Sequence, residues 1–255
     1  MSYAAAILIV LASAALAGAA SRIVDRFVSV DTRKRQHDVG FQIFAIIGLM
    51  FSVLLAFVFS EVWSEYNAAR QAISGECGAL HGAAMIAGAM PNHEGRPINE
   101  DIKQYVDQVL TVEWPTMTQQ RRSIEAAHGL RAAIETTAQL PVTSASDLSN
   151  RGTILGLLAQ AHAAREARTF QLDLGLPGAT WFVLIVLTFV LSALVALAGT
   201  ERHATVFFSA IFTASVVMVL VLVRMLDYPF EGALAVSSAD FVKLGSQLSD
   251  LLAMK

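Results

Sequence analysis

The chain has 255 residues, 55% hydrophobic and 15% charged, with a formal charge of −3 and a mean hydropathy of +0.55. A soluble domain carries about 25% charged residues, so the deficit fits a chain partly solvated by lipid, and the near-neutral charge offers nothing for nucleic acid. Cys77 is the only cysteine, which rules out a disulfide within the chain and a thiolate metal cluster; it reads as a small buried apolar residue, with an intermolecular bridge as the alternative.

Four uncharged apolar runs lie at 4–20, 39–60, 176–199 and 204–223, each near the length that spans a bilayer as a helix. One ionised side chain at mid-bilayer costs roughly 2.5–3.5 kcal/mol on insertion scales, so the absence of charge is a selected property. The first run ends on small residues, Ala17, Gly18 and Ala19, as a cleavage site would. No positively charged stretch precedes it, as a signal peptide requires, so it is read as a spanning helix. Within it, Ala14 and Gly18 form a small-xxx-small pair suited to close helix packing.

Between the first two runs, the segment 21–40 holds Arg22, Arg26, Arg33, Lys34 and Arg35. A short basic segment resists translocation, which predicts a cytoplasmic position. The first ten residues carry no basic side chain. The N-terminus, residues 62–174 and the C-terminal tail are therefore expected outside, with the tight loop 200–203 inside. Trp63, Tyr66, Trp181 and Tyr228 all fall on one face of this arrangement, as an aromatic belt should.

The middle region shows helical spacing and no strand-like alternation. The second run is expected to continue as one long helix to Met90, broken at Pro91. Asn99 is a candidate N-cap for a helix carrying Ile102, Tyr105, Val106, Val109 and Leu110, ending near Trp114–Pro115. Another helix is expected over 116–139. Ser144 or Ser146 would cap a further one reaching Phe170, with Leu148, Leu155, Leu158 and His162 as its stripe. In the tail, Phe241, Leu244, Leu248 and Leu251 share one face, to pack on the middle region, the membrane or a neighbouring subunit.

Little in the chain points to catalysis. His37, His81, His93, His128, His162 and His203 form no pair at i, i+3 or i+4, the spacing of helical metal sites. His93-Glu94 reads as a solvated loop, and no cofactor motif is present. Gln42, Ser52, Thr188, Ser192, Ser209, Thr213 and Ser215 are the polar residues of the spans. All are neutral, so none offers a carboxylate for proton relay or cation coupling. The second span carries five phenylalanines, with Phe44, Phe51 and Val58 recurring at seven and Leu55 beside them. Such a stripe either gates ions by dewetting or packs against lipid and other helices. Arg224 and Asp227, one turn apart, precede a corner ending at Pro229 and Gly232.

That corner, Leu226-Asp227-x-Pro229-Phe230-x-Gly232, resembles the bestrophin-like domain family of bacteria and plants. Further matches are Val39-Gly40-Phe41, Glu76, Tyr105, Glu113-Trp114-Pro115, and Arg165 with Arg168. The resemblance covers about 40–232. It implies two spans, a helical domain and two more spans, and points to bestrophins, pentameric anion channels whose second span lines the pore at a hydrophobic neck. By that analogy Phe44, Phe51 and Leu55 are neck candidates. Bestrophins keep the helical domain and both termini in the cytoplasm, whereas the charge pattern here predicts the reverse.

The expected fold is an all-α integral membrane protein with four transmembrane helices in a two-plus-two arrangement. It comprises a hairpin over 1–61, a helical extramembrane domain over 62–175, a second hairpin over 176–230 and an amphipathic C-terminal helix over 231–255. The expected function is a homo-oligomeric passive pore in the inner membrane, for anions or small solutes. The alternative is a membrane-anchored structural or sensory module whose helical domain binds a partner or ligand. The bilayer and further copies of the chain are the expected partners; no cofactor, metal, nucleic acid or catalytic residue is expected.

Overall fold

The computed structural model describes the backbone of residues 1–91, 94–199 and 201–253, and their side chains except at 30–32, 34–38, 124, 125 and 202. His93 and Thr200 lie outside the described residues, as do the side chains of Lys34, Arg35 and His37. Among the described residues there are helices and turns and no strand. The elements are α1 (Tyr3–Phe27), α2 (Val30–Gly88), α3 (Arg96–Gln108), a π-turn (Val109–Glu113), α4 (Trp114–Met117), α5 (Ile124–Ala138), α6 (Ala145–Phe170), α7 (Gly178–Ala198), α8 (Arg202–Leu226) and α9 (Ala239–Ala253). Four of them, α1, α2, α7 and α8, are long and apolar enough to cross a membrane.

Two compact units result: 1–64 with 175–227, and 65–174 with 228–255. In the first, α1 lies along α8, where Gly18 is buried and leaves only 3.4 Å between a would-be Cβ and Val206. The hydroxyls of Ser192 and Thr213 join α7 to α8 at 3.0 Å. The segment read as a basic loop is mostly helix. Helix α1 runs on to Phe27 and α2 begins at Val30, because charges mark where a helix leaves hydrocarbon and do not themselves end it. Arg33 Nη1 ties the segment down, donating to Asp25 Oδ1 at 2.7 Å and to the Gly199 carbonyl at 2.9 Å. At the other end of the spans, Asp227 Oδ1 accepts the Leu176 N–H at 2.9 Å, just before α7.

The second unit has the core of a soluble helical domain: Ile73, Leu80 and Ala84 of α2, Ile98, Ile102 and Val106 of α3, Leu130 of α5, Ile154 and Leu158 of α6, and Phe241, Leu244 and Leu248 of α9. Helix α3 starts at Arg96, not at the expected Asn99 cap, which is buried within the helix. Gly95 is its N-cap, and a Cβ there would stand 2.0 Å from the Ala87 carbonyl oxygen. That approach of backbone to backbone admits only glycine. The helix expected over 116–139 is interrupted at 118–123 and restarts at Ile124. Ser144 caps α6 in a full capping box with Asp147. The apolar tail helix packs on α3 within this unit, and Cys77 is buried in its core.

Candidate functional site

The second unit encloses a cluster of charges that a soluble core rarely tolerates. Arg168, Glu76, Glu113 and Tyr105 have no exposed surface, and Arg165 almost none. Arg168 Nε and Nη2 donate to the two Glu76 carboxylate oxygens at 2.8 and 3.2 Å. Nη2 also reaches Glu113 Oε2 at 3.0 Å, and Nη1 points at the Met117 sulfur at 2.8 Å. Arg165 Nη2 donates to the other Glu113 oxygen at 2.6 Å and to the Ser123 carbonyl at 3.0 Å. The Tyr105 hydroxyl donates to Glu76 Oε1. Two carboxylates thus face two guanidiniums with a formal charge of zero, and each carboxylate oxygen has a donor. Without such pairing, buried charges cost several kcal/mol each.

Local sequence explains how these side chains meet. Arg165 and Arg168, three residues apart on α6, share one face with Ile154, Leu158 and Ala161. The expected stripe through Leu148 is displaced: Leu148 is exposed, and charged residues occupy two positions of the buried face. Pro115 lacks an N–H and its ring would strike the carbonyl four residues back. The chain accommodates it by widening Val109–Glu113 into a π-turn, in which the Trp114 N–H bonds to the Val109 carbonyl. The helix therefore passes through Pro115 instead of ending there, and the π-turn carries Glu113 inward. Trp114 stands edge-on to Phe230 and Phe241, at 6.1 and 5.8 Å. The Arg168 guanidinium lies 5.9 Å from the Trp114 ring centre and 5.4 Å from that of Phe241. Pro229 and Gly232 set the turn that delivers Phe230: Gly232 has φ 82°, and the Pro229 carbonyl accepts the Val236 N–H at 2.7 Å.

Burial, and after it the Glu76 carboxylate, push the Tyr105 phenol well above its ordinary value, so it stays a donor. Burial alone would lower Arg168, but the charge and hydrogen bonds of Glu76, with Tyr105 and Glu113 behind them, together outweigh this and hold the guanidinium above its ordinary value. Every carboxylate oxygen here is matched, only the Arg165 Nε lacks a partner, and the cluster is almost wholly closed to solvent. The arrangement suits a structural keystone, and no reacting atom could be reached. Among the described residues no group of three or more His, Cys, Asp or Glu side chains could hold a metal.

The second site is the apolar first half of α2. Phe44 packs edge-on against Phe212 of α8 at 5.7 Å. With Gly48, Phe51, Leu55 and Phe212, Ser215 and Val216 of α8 it borders a groove of about 450 Å³. Phe51 is only 4% exposed in the protomer. The uncovered face carries Val39, Ile43, Ile46, Met50, Val53 and Phe57, with Ile46, Met50 and Phe57 at 62–70% exposure. These positions step by four and three residues alternately, and their mean direction lies roughly 140° round the helix from Phe44, Phe51 and Leu55. The sequence reading passed over this stripe. Its spacing was visible, but so was that of the phenylalanines, and nothing in a run without charge says which side is covered.

Relatives place these features in a family. The family model for the bestrophin-like domain matches residues 11–241. No curated protein matches the chain. Among solved structures, crystal structures of three mutants of a bacterial bestrophin homologue from Klebsiella pneumoniae share the fold. Each is 16% identical, with TM-scores of 0.76, 0.77 and 0.75, over 97%, 96% and 100% of this chain and 99% of the other. The protein is an all-α integral membrane protein, with spans in a two-plus-two order around a helical domain. Over nearly its whole length, the chain belongs to the bestrophin-like domain family.

Proposed function

We propose that this chain assembles with copies of itself around a passive pore for anions or other small solutes, lined by the uncovered face of α2. The observation that carries the reading is the stripe Ile43, Ile46, Met50, Val53 and Phe57: long, apolar, uncharged and left bare by the rest of the protomer. One protomer's bare face encloses nothing, so a pore requires a ring, pentameric if bestrophins are a guide. A neck of such residues passes ions only when wetted, which makes it a gate as well as a constriction. The family and the fold shared with a bacterial bestrophin homologue support the same reading.

The resemblance put the neck at Phe44, Phe51 and Leu55. Their packing towards α8 within one protomer favours moving it round the helix to Ile46, Met50 and Val53, with the phenylalanines as the support behind the wall. The Glu76–Glu113–Arg165–Arg168 cluster holds the helical unit in shape and takes no part in conduction. The basic residues Arg22, Arg26 and Arg33 favour an inner-membrane orientation with their segment in the cytoplasm, and the helical unit and both termini on the other side.

Purified protein in liposomes loaded with halide should release it down its gradient, and Met50→Asp should alter the rate or the ion preference. Absence of flux from folded protein, or flux indifferent to Met50, overturns the pore. For orientation, a cysteine introduced at exposed Val142 should react with an impermeant thiol reagent added outside intact cells. Reaction only after lysis reverses the topology.

A further inference from the structure

Beside α2 the spanning unit has a second apolar feature, with a different geometry. Helices α1, α7 and α8 enclose a groove of about 640 Å³, walled by such residues as Ile9, Leu16, Ile185, Phe189, Val217 and Leu220. Four hydroxyl side chains line it, yet each is already bonded within the protein. Ser13 donates to the Val10 carbonyl at 2.8 Å, Thr188 to the Leu184 carbonyl at 2.7 Å, and Ser192 and Thr213 bond to each other. With these donors taken up inside the protein and Arg224 the one charged side chain of the described lining, a polar solute would recover few of the hydrogen bonds it gives up with its water. Along α7 the wall runs from Trp181 to Ala196, roughly 22 Å at the helical rise, against about 15 Å of hydrocarbon in one leaflet.

The groove has one charged side chain in its described lining, Arg224, at the end marked by Trp181. A guanidinium carries five donors, so Arg224 can act on Asp227 and still meet an anion at the groove mouth. A neighbouring subunit's transmembrane helix is the competing occupant. An acyl chain is slender enough, and the positive charge at one end selects the headgroup.

We propose that this groove is a lipid-binding site, holding one acyl chain of an anionic phospholipid between α1, α7 and α8 with its headgroup at Arg224. Bulk lipid competes for an acyl chain on nearly equal hydrophobic terms, so retention rests on close packing in the groove and on the headgroup charge. Those two contributions can be removed separately. Ala193 is an exposed residue of the groove wall, and Ala193→Phe fills the space without disturbing a buried contact. Arg224→Gln removes the charge and leaves the space.

The test reconstitutes the whole protein in nanodiscs of mixed phosphatidylglycerol and phosphatidylcholine and reads retained lipid by native mass spectrometry. Wild type should hold phosphatidylglycerol in preference. Ala193→Phe should lose most of the retained lipid of either kind, and Arg224→Gln should retain lipid with the preference for phosphatidylglycerol severalfold weaker. Retention by Ala193→Phe equal to wild type overturns the site, whether or not Arg224→Gln folds. A structure of the assembled oligomer with a neighbouring subunit's helix seated in the groove also overturns it.

Discussion

Helix α2 passes through both units, and its surroundings change on the way. Before Ser64 it is one of four apolar helices, and residues such as Ile46, Leu49, Met50 and Phe57 are bare in the protomer. Beyond Glu65 it becomes the spine of a closed core, where Ala69, Ile73, Leu80, Ala83 and Ala84 have virtually no exposed surface. The first stretch is held as a helix because lipid leaves its backbone no other partner. The second is held by packing and by the ion pairs round Glu76. One stretch therefore keeps faces free for lipid or for copies of the chain. The other uses nearly all of its buried face on its own domain, and a substitution should reveal which regime a residue belongs to.

Arg168→Met should have the largest effect. It leaves Glu76 and Glu113 buried with most of their donors gone, at a cost of about 3–5 kcal/mol. The loss should appear as a lowered melting temperature and reduced helical circular dichroism in detergent, with Arg168→Lys recovering part of it. A near-wild-type melt for Arg168→Met would mean that the cluster is not the keystone of its unit. Tyr105→Phe is a milder probe of the same network. Glu76 keeps Arg168 but loses the hydroxyl donor, for about 1–3 kcal/mol, and the effect should vanish in a Glu76→Leu background, which offers the hydroxyl no acceptor, if the bond to Glu76 is its whole cause. The smallest effect on folding belongs to the other regime. Met50→Ala removes an exposed side chain and should shift protomer stability by less than about 0.5 kcal/mol, while changing flux.

The contrast also explains what could be read from the chain. The spans are legible because a missing charge is a strong signal, and the α6 cap because Ser144 and Asp147 stand at capping-box spacing. The direction in which α2 turns was not legible. A run without charge has no charged side to give it phase, so the seven-residue spacing of Phe44 and Phe51 located a face without saying what lies against it. In α6 the obstacle was opposite: the buried stripe contains Arg165 and Arg168, which hydrophobic spacing counts as surface. Pro115 misled as a helix terminator because a π-turn can absorb it. The motif residues Glu76, Tyr105, Glu113, Arg165 and Arg168 were singled out by resemblance. Spacing alone could not have joined residues 92 apart, such as Glu76 and Arg168.

On the pore proposed here, the bare face of α2, and not its phenylalanine face, lines the conduction path. Cysteine accessibility during flux tests it most directly. In a Cys77→Ala background, Met50→Cys and Phe51→Cys proteins are reconstituted in liposomes and exposed to a hydrophilic thiol reagent while halide release is recorded. Rapid block is expected through Met50→Cys and none through Phe51→Cys. Block through Phe51→Cys with Met50→Cys indifferent would contradict it.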